Sequence, residues 1–353
     1  MRSRAGRRDR RGRQRFRQHR YAKGEAVRVV VADAFPQDHV ARLERAGHEV
    51  SHVPGRTADE LAADPGDVEV LVVRSTRVSA DVFDRAPSLR WVIRAGAGTD
   101  TIDVVAANRH GVPVSNVPGR NSVAVAELTF ALLLAIDRDI PEQVADLRAG
   151  RWRKAQHQGA TGISGRQVGI VGLGDIGLAF AQRARAFGCD LFALARDDRP
   201  QHVLDRIEEL EIVLFDDLHE LARTCDVLSF HIPMSDDTRG LIGRPLLDHV
   251  REGAILLNTS RGDLVDERAL LEALDEKQLR VGLDVYPHEP AAGEATFDSP
   301  LARHPHVVGT HHVGASTQQA QQAVADGVVD MLEAFGRGEV RHCVNPDATQ
   351  ATG

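Results

Sequence analysis

The run Val168-Gly169-Ile170-Val171-Gly172-Leu173-Gly174-Asp175-Ile176-Gly177 decides the fold. Its first residues read as a buried parallel strand. Gly172, Gly174 and Gly177 follow at the G-x-G-x-x-G spacing, and Ile176, Phe180, Ala184 and Phe187 then recur at helical spacing. Strand, tight turn and helix in that order mark a dinucleotide site. The first glycine permits the turn, the second lets a pyrophosphate approach the backbone, and the third lets helix and strand pack closely. The helix N-terminus, at Asp175 and Ile176, offers N–H groups and a positive dipole end to the phosphates. The competing reading is a purely structural glycine turn. Both flanking elements are present, which favours the dinucleotide.

Outward from this run, further strands are expected at 191–194, 227–231, 254–258, 281–285 and 307–310, with helices over 217–224, 244–250 and 267–276. That alternation predicts a doubly wound Rossmann domain. Upstream, strands at 27–32, 68–73, 89–93 and 112–114 alternate with helices over 38–46 and 102–108. A very apolar helix over 123–136, capped by Ser122 and broken near Pro141, is expected to lie between domains or at a subunit contact. The last helix, over 317–335, is expected to pack back on the first sheet. The fold class is therefore α/β with two doubly wound parallel-sheet domains. A discontinuous, flavodoxin-like substrate domain covers 27–121 and 311–346, and a dinucleotide domain covers 122–310.

At 353 residues the chain is long enough for two such domains, and 42% apolar with 27% charged residues is the balance of a globular protein. The net charge of −7 hides an asymmetry: residues 1–26 carry +9, so the rest carries −16. So acidic a body argues against nucleic acid as a partner. The Arg-rich segment is expected to be disordered, as a passive tail, a contact arm or a targeting leader. No apolar run is long enough to span a bilayer, so no membrane partner is expected. Cys189, Cys225 and Cys343 are odd in number and lack metal spacing, which points to reduced thiols in the cytoplasm.

Three polar strand ends carry the chemistry. Asn258-Thr259-Ser260-Arg261-Gly262 ends one strand, Asp284-Val285-Tyr286-Pro287-His288-Glu289-Pro290 a second, and Thr310-His311-His312-Val313-Gly314-Ala315-Ser316-Thr317 a third. An Arg, a Glu and a His are thereby expected to converge on the cofactor crevice. Arg261 suits a two-pronged bond to a carboxylate. His312 suits proton transfer to or from a carbonyl oxygen, with Glu289 fixing its tautomer and favouring its charged form. Each has a plainer rival: a surface charge, a turn end, a core histidine. His304 and His306 have ligand-like side chains, but no regular element aligns them, so no metal is expected.

From about residue 27 to 346 the chain resembles the D-isomer-specific 2-hydroxyacid dehydrogenases, most of all their D-3-phosphoglycerate dehydrogenase branch. The resemblance rests on Arg94-Ala95-Gly96-Ala97-Gly98-Thr99-Asp100, on Asn121-Ser122 with Ala126-Glu127-Leu128, on the glycine loop and on the three strand ends. It implies Arg261, Glu289 and His312 as the catalytic set. It implies cofactor contacts at Pro233 and Thr259, and Asp284 at the nicotinamide amide. Arg74 and Ser75 would meet the far end of a 2-hydroxy or 2-keto acid, the backbone at Ala97 and Gly98 would cradle its carboxylate, and Asn121 would lie nearby. A homodimer built on the apolar 123–136 helix is implied as well. Glyoxylate or hydroxypyruvate reduction, or a specialised acid such as a phosphonate, are alternative substrates. A dinucleotide-sensing corepressor is the alternative of another class.

Three departures from the family pattern matter. His311 stands where the family has Pro. The chain stops near Gly353, so a regulatory domain is not expected. Where an acidic residue usually binds the ribose of NAD, this chain has Ala195 followed by Arg196, a pair suited to the 2′-phosphate of NADP. Asp197 or Asp198 could instead restore NAD use.

Overall fold

The computed structural model describes residues 26–290 and 294–349, so the Arg-rich tail, apart from Ala26, lies outside the described residues. The chain forms two compact units, each on its own parallel sheet.

The first unit contains β1 (Arg28–Val31), β2 (Glu49–His52), β3 (Val70–Val73), β4 (Trp91–Arg94) and β5 (Val114–Asn116) in the order β2-β1-β3-β4-β5, all parallel. This is the flavodoxin-like order. Every residue of β3 is buried, as a strand covered on both faces requires. β2 was not expected. It is an edge strand whose residues alternate between exposed and half-buried, and it carries no apolar run. The final helix, Gln318–Phe335, returns to this sheet, where Val324, Val328, Leu332 and Phe335 join Val29, Val70 and Trp91 in one core. The Trp91 and Phe335 rings stack at 4.9 Å. The opposite face buries Leu71, Val73 and Val92 under Leu61, Val82, Phe83 and Ala106.

The second unit contains β6 (Gln167–Val171), β7 (Asp190–Leu194), β8 (Val213–Phe215), β9 (Val227–Phe230), β10 (Ile255–Asn258), β11 (Arg280–Leu283) and β12 (Val307–Gly309). Their order is β12-β11-β10-β9-β6-β7-β8, a doubly wound sheet whose direction of winding reverses between β6 and β9. Ligands bind at the carboxyl ends of the strands at such a reversal. β8, a short and largely exposed edge strand, was also unexpected.

The apolar helix Ser122–Asp137 packs one face into its own unit. Ala126, Phe130, Leu132, Leu133 and Ile136 are buried with Ile170, Phe180 and Leu257 in the core of the second unit itself. Ser122 is its first residue rather than its cap, and Pro141 sits in the first turn of the next helix, Ile140–Arg148. That second helix exposes Ile140, Val144 and Leu147 on one face, and the first exposes Val123. The boundary expected after residue 310 also moves. Residues 311–317 stay with the second unit, because their backbone is tied to Asp284 at the end of β11. Among the described residues, no helix is long and apolar enough to cross a membrane.

Candidate active site

The three glycines after β6 do different work. Gly172 has φ +104°, and a Cβ there would lie 2.5 Å from the His231 carbonyl oxygen. A Cβ on Gly177 would lie 1.9 Å from the Gly172 carbonyl oxygen, so helix and strand touch through it. At Gly174 a Cβ would meet nothing within 4 Å. Packing therefore does not demand this glycine, and open space lies at the mouth of the helix Asp175–Ala186, which Gly174 caps. Open space, a bare backbone and the first N–H groups of a twelve-residue helix fit a pyrophosphate. Beneath them, burial pushes the His231 imidazole down to about 3, so the ring is neutral, with Nε2 2.8 Å from the Ser229 hydroxyl.

At the end of β7, Ala195 offers no carboxylate. Arg196 donates from Nε and Nη2 to the two oxygens of Asp198, at 2.6 and 3.1 Å. The carboxylate that could have taken ribose hydroxyls is therefore held on the guanidinium. Arg199, not singled out in the sequence, donates to the Leu194 carbonyl at the same strand end. Pro233 is exposed in the loop after β9, where its carbonyl accepts from the Thr238 hydroxyl at 2.9 Å. Thr259 is buried with its hydroxyl 2.7 Å from that of Thr129, which leaves its backbone as the part able to meet a ligand.

The three remaining strand ends come together in the second unit. Asn258, the last residue of β10, shapes the loop after it. Its Oδ1 accepts the Ser260 N–H and hydroxyl at 3.0 and 2.7 Å, and its Nδ2 donates to the Arg261 carbonyl at 2.8 Å. Gly262 then abuts the Tyr286 carbonyl, where any side chain would collide at 2.0 Å. This brings Arg261 beside the segment carrying Glu289. Glu289 Oε2 accepts the Tyr286 N–H at 3.2 Å, and its Oε1 lies 2.5 Å from His312 Nδ1. His312 has a half-exposed side chain, and its Nε2 is left to face a ligand.

The electrostatics follow from this proximity. Burial pushes the Glu289 carboxyl up, but the bond and charge of His312, the Tyr286 N–H and the Arg261 charge outweigh it and hold the group below its ordinary range. The hydrogen bond to Glu289 holds the His312 imidazole above its ordinary value, against burial and the Arg261 charge.

Asp284 is 1% exposed, and its carboxylate is already engaged. It accepts from the Thr310 hydroxyl at 2.7 Å and from the Val313 and Gly314 N–H groups at 2.8 Å each. Its first task is thus to fix the His312 loop, a role that sequence reasoning missed. His311 is exposed beside it. Among the described residues, no group of three or more His, Cys, Asp or Glu side chains is placed to hold a metal ion.

In the first unit, Arg74 and Ser75 follow β3 on a loop bonded to Asp33, and Ala97 and Gly98 follow β4. The Asn116 side chain donates to the Ala97 carbonyl at 2.5 Å. Gly96, at φ +148°, lies against the Arg94 side chain, where a Cβ would collide at 1.5 Å. Asn121 is buried, and its Oδ1 has no hydrogen-bond partner among the described residues.

Residues 130–314 match the family described as D-isomer specific 2-hydroxyacid dehydrogenase, NAD binding domain. The chain is 39% identical over 316 residues to a D-3-phosphoglycerate dehydrogenase of Methanocaldococcus jannaschii, covering 89% of this chain and 58% of that protein. It therefore spans less than two thirds of the length of that relative. It is 37% identical over 276 residues to a hydroxypyruvate reductase of Thermotoga maritima, covering 78% of this chain and 87% of that protein. Among solved structures, the TT0316 protein of Thermus thermophilus superposes with a TM-score of 0.77 at 35% identity, covering 90% of this chain and 99% of that one. With more than half of the chain matched by the family model and a relative of 37% identity covered over most of its length, this chain belongs to the D-isomer specific 2-hydroxyacid dehydrogenase family.

Proposed function

We propose that this chain is an NAD(P)-dependent D-2-hydroxyacid dehydrogenase whose substrate is D-3-phosphoglycerate and whose product is 3-phosphohydroxypyruvate. The observation that carries the reading is the meeting of Glu289 and His312 at 2.5 Å within the electrostatic reach of Arg261. Arg261 grips the substrate carboxylate with two parallel hydrogen bonds and polarises the neighbouring carbonyl. His312 Nε2 gives its proton to the carbonyl oxygen during reduction and takes the hydroxyl proton during oxidation. Glu289 holds Nδ1, so the ring presents the same nitrogen throughout and its cationic form is favoured. The bound nicotinamide supplies the hydride or receives it. It would be held by the backbone at Gly172, Gly174, Asp175, Ile176 and Gly177, with Pro233, Thr259 and Asp284 nearer the ring.

Arg74 and Ser75 contact the far end of the acid, the backbone of Ala97 and Gly98 cradles its carboxylate, and the unpartnered Asn121 Oδ1 accepts a substrate hydroxyl. NADP is the preferred cofactor, supported by Ala195 and by Arg196, whose charge suits a 2′-phosphate. The protein is a homodimer, supported by the exposed apolar face of Ile140, Val144 and Leu147 and by Trp152, which is 80% exposed. The free thiols of Cys189, Cys225 and Cys343 suit the cytoplasm.

A second reading keeps the chemistry and changes the acid to hydroxypyruvate or glyoxylate. The extent of the match to the hydroxypyruvate reductase, 87% of that protein's length, favours it. Steady-state reduction of 3-phosphohydroxypyruvate, hydroxypyruvate and glyoxylate with NADH and NADPH separates the two. The highest kcat/KM is expected for the phosphorylated acid. A higher value for hydroxypyruvate makes the second reading correct, and no turnover of any of them overturns both.

A further inference from the structure

Asp33 stands two residues beyond β1, and nothing in its sequence context marks it as functional. Its carboxylate is surrounded by the loop that follows β3. Oδ2 accepts the N–H groups of Arg74, Ser75 and Thr76 at 2.6, 3.2 and 3.2 Å, and Oδ1 accepts the Ser75 hydroxyl at 2.7 Å. Three successive backbone N–H groups converging on one oxygen form an anion nest, here filled by the protein's own carboxylate. Removal of that carboxylate leaves three donors without their acceptor and the loop without its template.

The arrangement also sets what the loop can offer. A hydroxyl has one proton, and that of Ser75 is spent on Asp33. Towards a ligand, Ser75 then presents lone pairs alone and serves as an acceptor. The loop's three N–H groups are likewise turned inward. Within residues 74–76 the cationic donor for an anionic far end is the Arg74 guanidinium, whose backbone is pinned by the shortest of the four bonds.

We propose that Asp33 is a positioning residue for the far end of the substrate: it templates residues 74–76 so that Arg74 and Ser75 present one guanidinium donor and one hydroxyl acceptor. This rests on the reading above in which Arg74 and Ser75 meet the substrate. In this role Asp33 acts through residues 74–76 and not on the substrate itself. Its loss should therefore separate acids by what they carry beyond the keto carbon.

The test compares the protein with its Asp33→Ala and Asp33→Asn variants in the reduction of 3-phosphohydroxypyruvate and of glyoxylate, which has no far end. In Asp33→Ala the KM for the phosphorylated acid rises about tenfold or more, the loss expected when charge-assisted bonds are removed. Meanwhile kcat for both acids and KM for glyoxylate stay within about twofold. Asp33→Asn, which keeps one acceptor oxygen but turns an amide towards the N–H groups, gives a smaller rise in the same direction. It also decides the matter should Asp33→Ala fail to fold. Equal rises for both acids, a fall in kcat with KM unchanged, or wild-type kinetics in both variants overturns the role of Asp33 alone. Absence of turnover of either acid by the unsubstituted protein overturns the functional reading on which it rests.

Discussion

The His312 N–H donates to the Asp284 carbonyl at 2.7 Å while His312 itself holds a left-handed backbone, φ +52°. Such a conformation is unusual for a residue with a β-carbon and persists when its surroundings over-determine it. Asp284 does so twice: its carbonyl takes the His312 N–H, and its carboxylate takes the next two.

Asp284→Asn therefore tests whether this loop sets the histidine. The amide keeps an acceptor for Thr310 and Val313 but turns donors towards the Gly314 N–H. The expected result is a kcat lowered by about tenfold or more with KM for the keto acid little changed, since a misplaced acid is lost in the transition state rather than in binding. The variant should also be less stable by about 1–3 kcal/mol, the cost of a buried donor left without its acceptor, read by denaturant unfolding.

Glu289→Gln separates charge from shape. The glutamine still accepts from Nδ1 but no longer holds the imidazole above its ordinary value. Reduction requires protonated His312, so its activity falls as pH rises through the His312 pKa. In Glu289→Gln that alkaline limb moves to lower pH. In the oxidation direction the acid limb moves the same way. The stability side has its own sign. The raised His312 pKa contributes stability that is fully present below about 6.5 and lost as pH rises through the folded value. The lowered Glu289 pKa contributes stability present above about 4.5 and lost as pH falls through the folded value. The difference in Tm between the protein and Glu289→Gln should thus be largest between these limits and shrink on both sides. A pH–rate profile identical to the unsubstituted one would remove Glu289 from the mechanism.

The glycines offer a contrast within one loop. Gly174→Ala meets no neighbour, so its Tm should hold while KM for the cofactor rises about tenfold or more, because a methyl group fills the pyrophosphate's approach. Gly177→Ala drives a carbon into the Gly172 carbonyl, so it should lose about 1–3 kcal/mol of stability, the usual cost of overpacking. Equal Tm losses in the two variants would show that Gly174 is structural after all.

Cofactor choice turns on Arg196. If its guanidinium leaves Asp198 for a 2′-phosphate, Arg196→Ala should lower kcat/KM for NADPH about tenfold, on the order of one charge-assisted bond, with a smaller effect for NADH. At least a tenfold advantage for NADH in the unsubstituted protein, unchanged in Arg196→Ala, would show that NAD is the cofactor.

How much of this was legible in the sequence depends on the kind of signal. Buried parallel strands such as Val70–Val73 and Ile255–Asn258 are continuous apolar runs and could be found directly. The edge strand Glu49–His52 has no such run, because one side of an edge meets solvent, and Val213–Phe215 continues a short apolar run from Ile212 that sequence reasoning passed over. The apolar helix Ser122–Asp137 was visible, but not where its faces would go. A mostly apolar helix does not say what covers each face, and here one face meets the core of its own unit. Arg261, Glu289 and His312 stood out because each ends a strand with polar chemistry. Asp33, and the loop-fixing part played by Asp284, did not. Their work is to hold backbone N–H groups of loops distant in sequence, and no local pattern encodes that partnership.

The most direct measurement of the central claim is the turnover of His312→Ala with the 2-keto acid that the unsubstituted protein reduces best, at saturating reduced cofactor. If the imidazole held by Glu289 is the proton donor, kcat falls about 100-fold or more, while the variant still folds and binds cofactor. Undiminished turnover in His312→Ala would contradict the account.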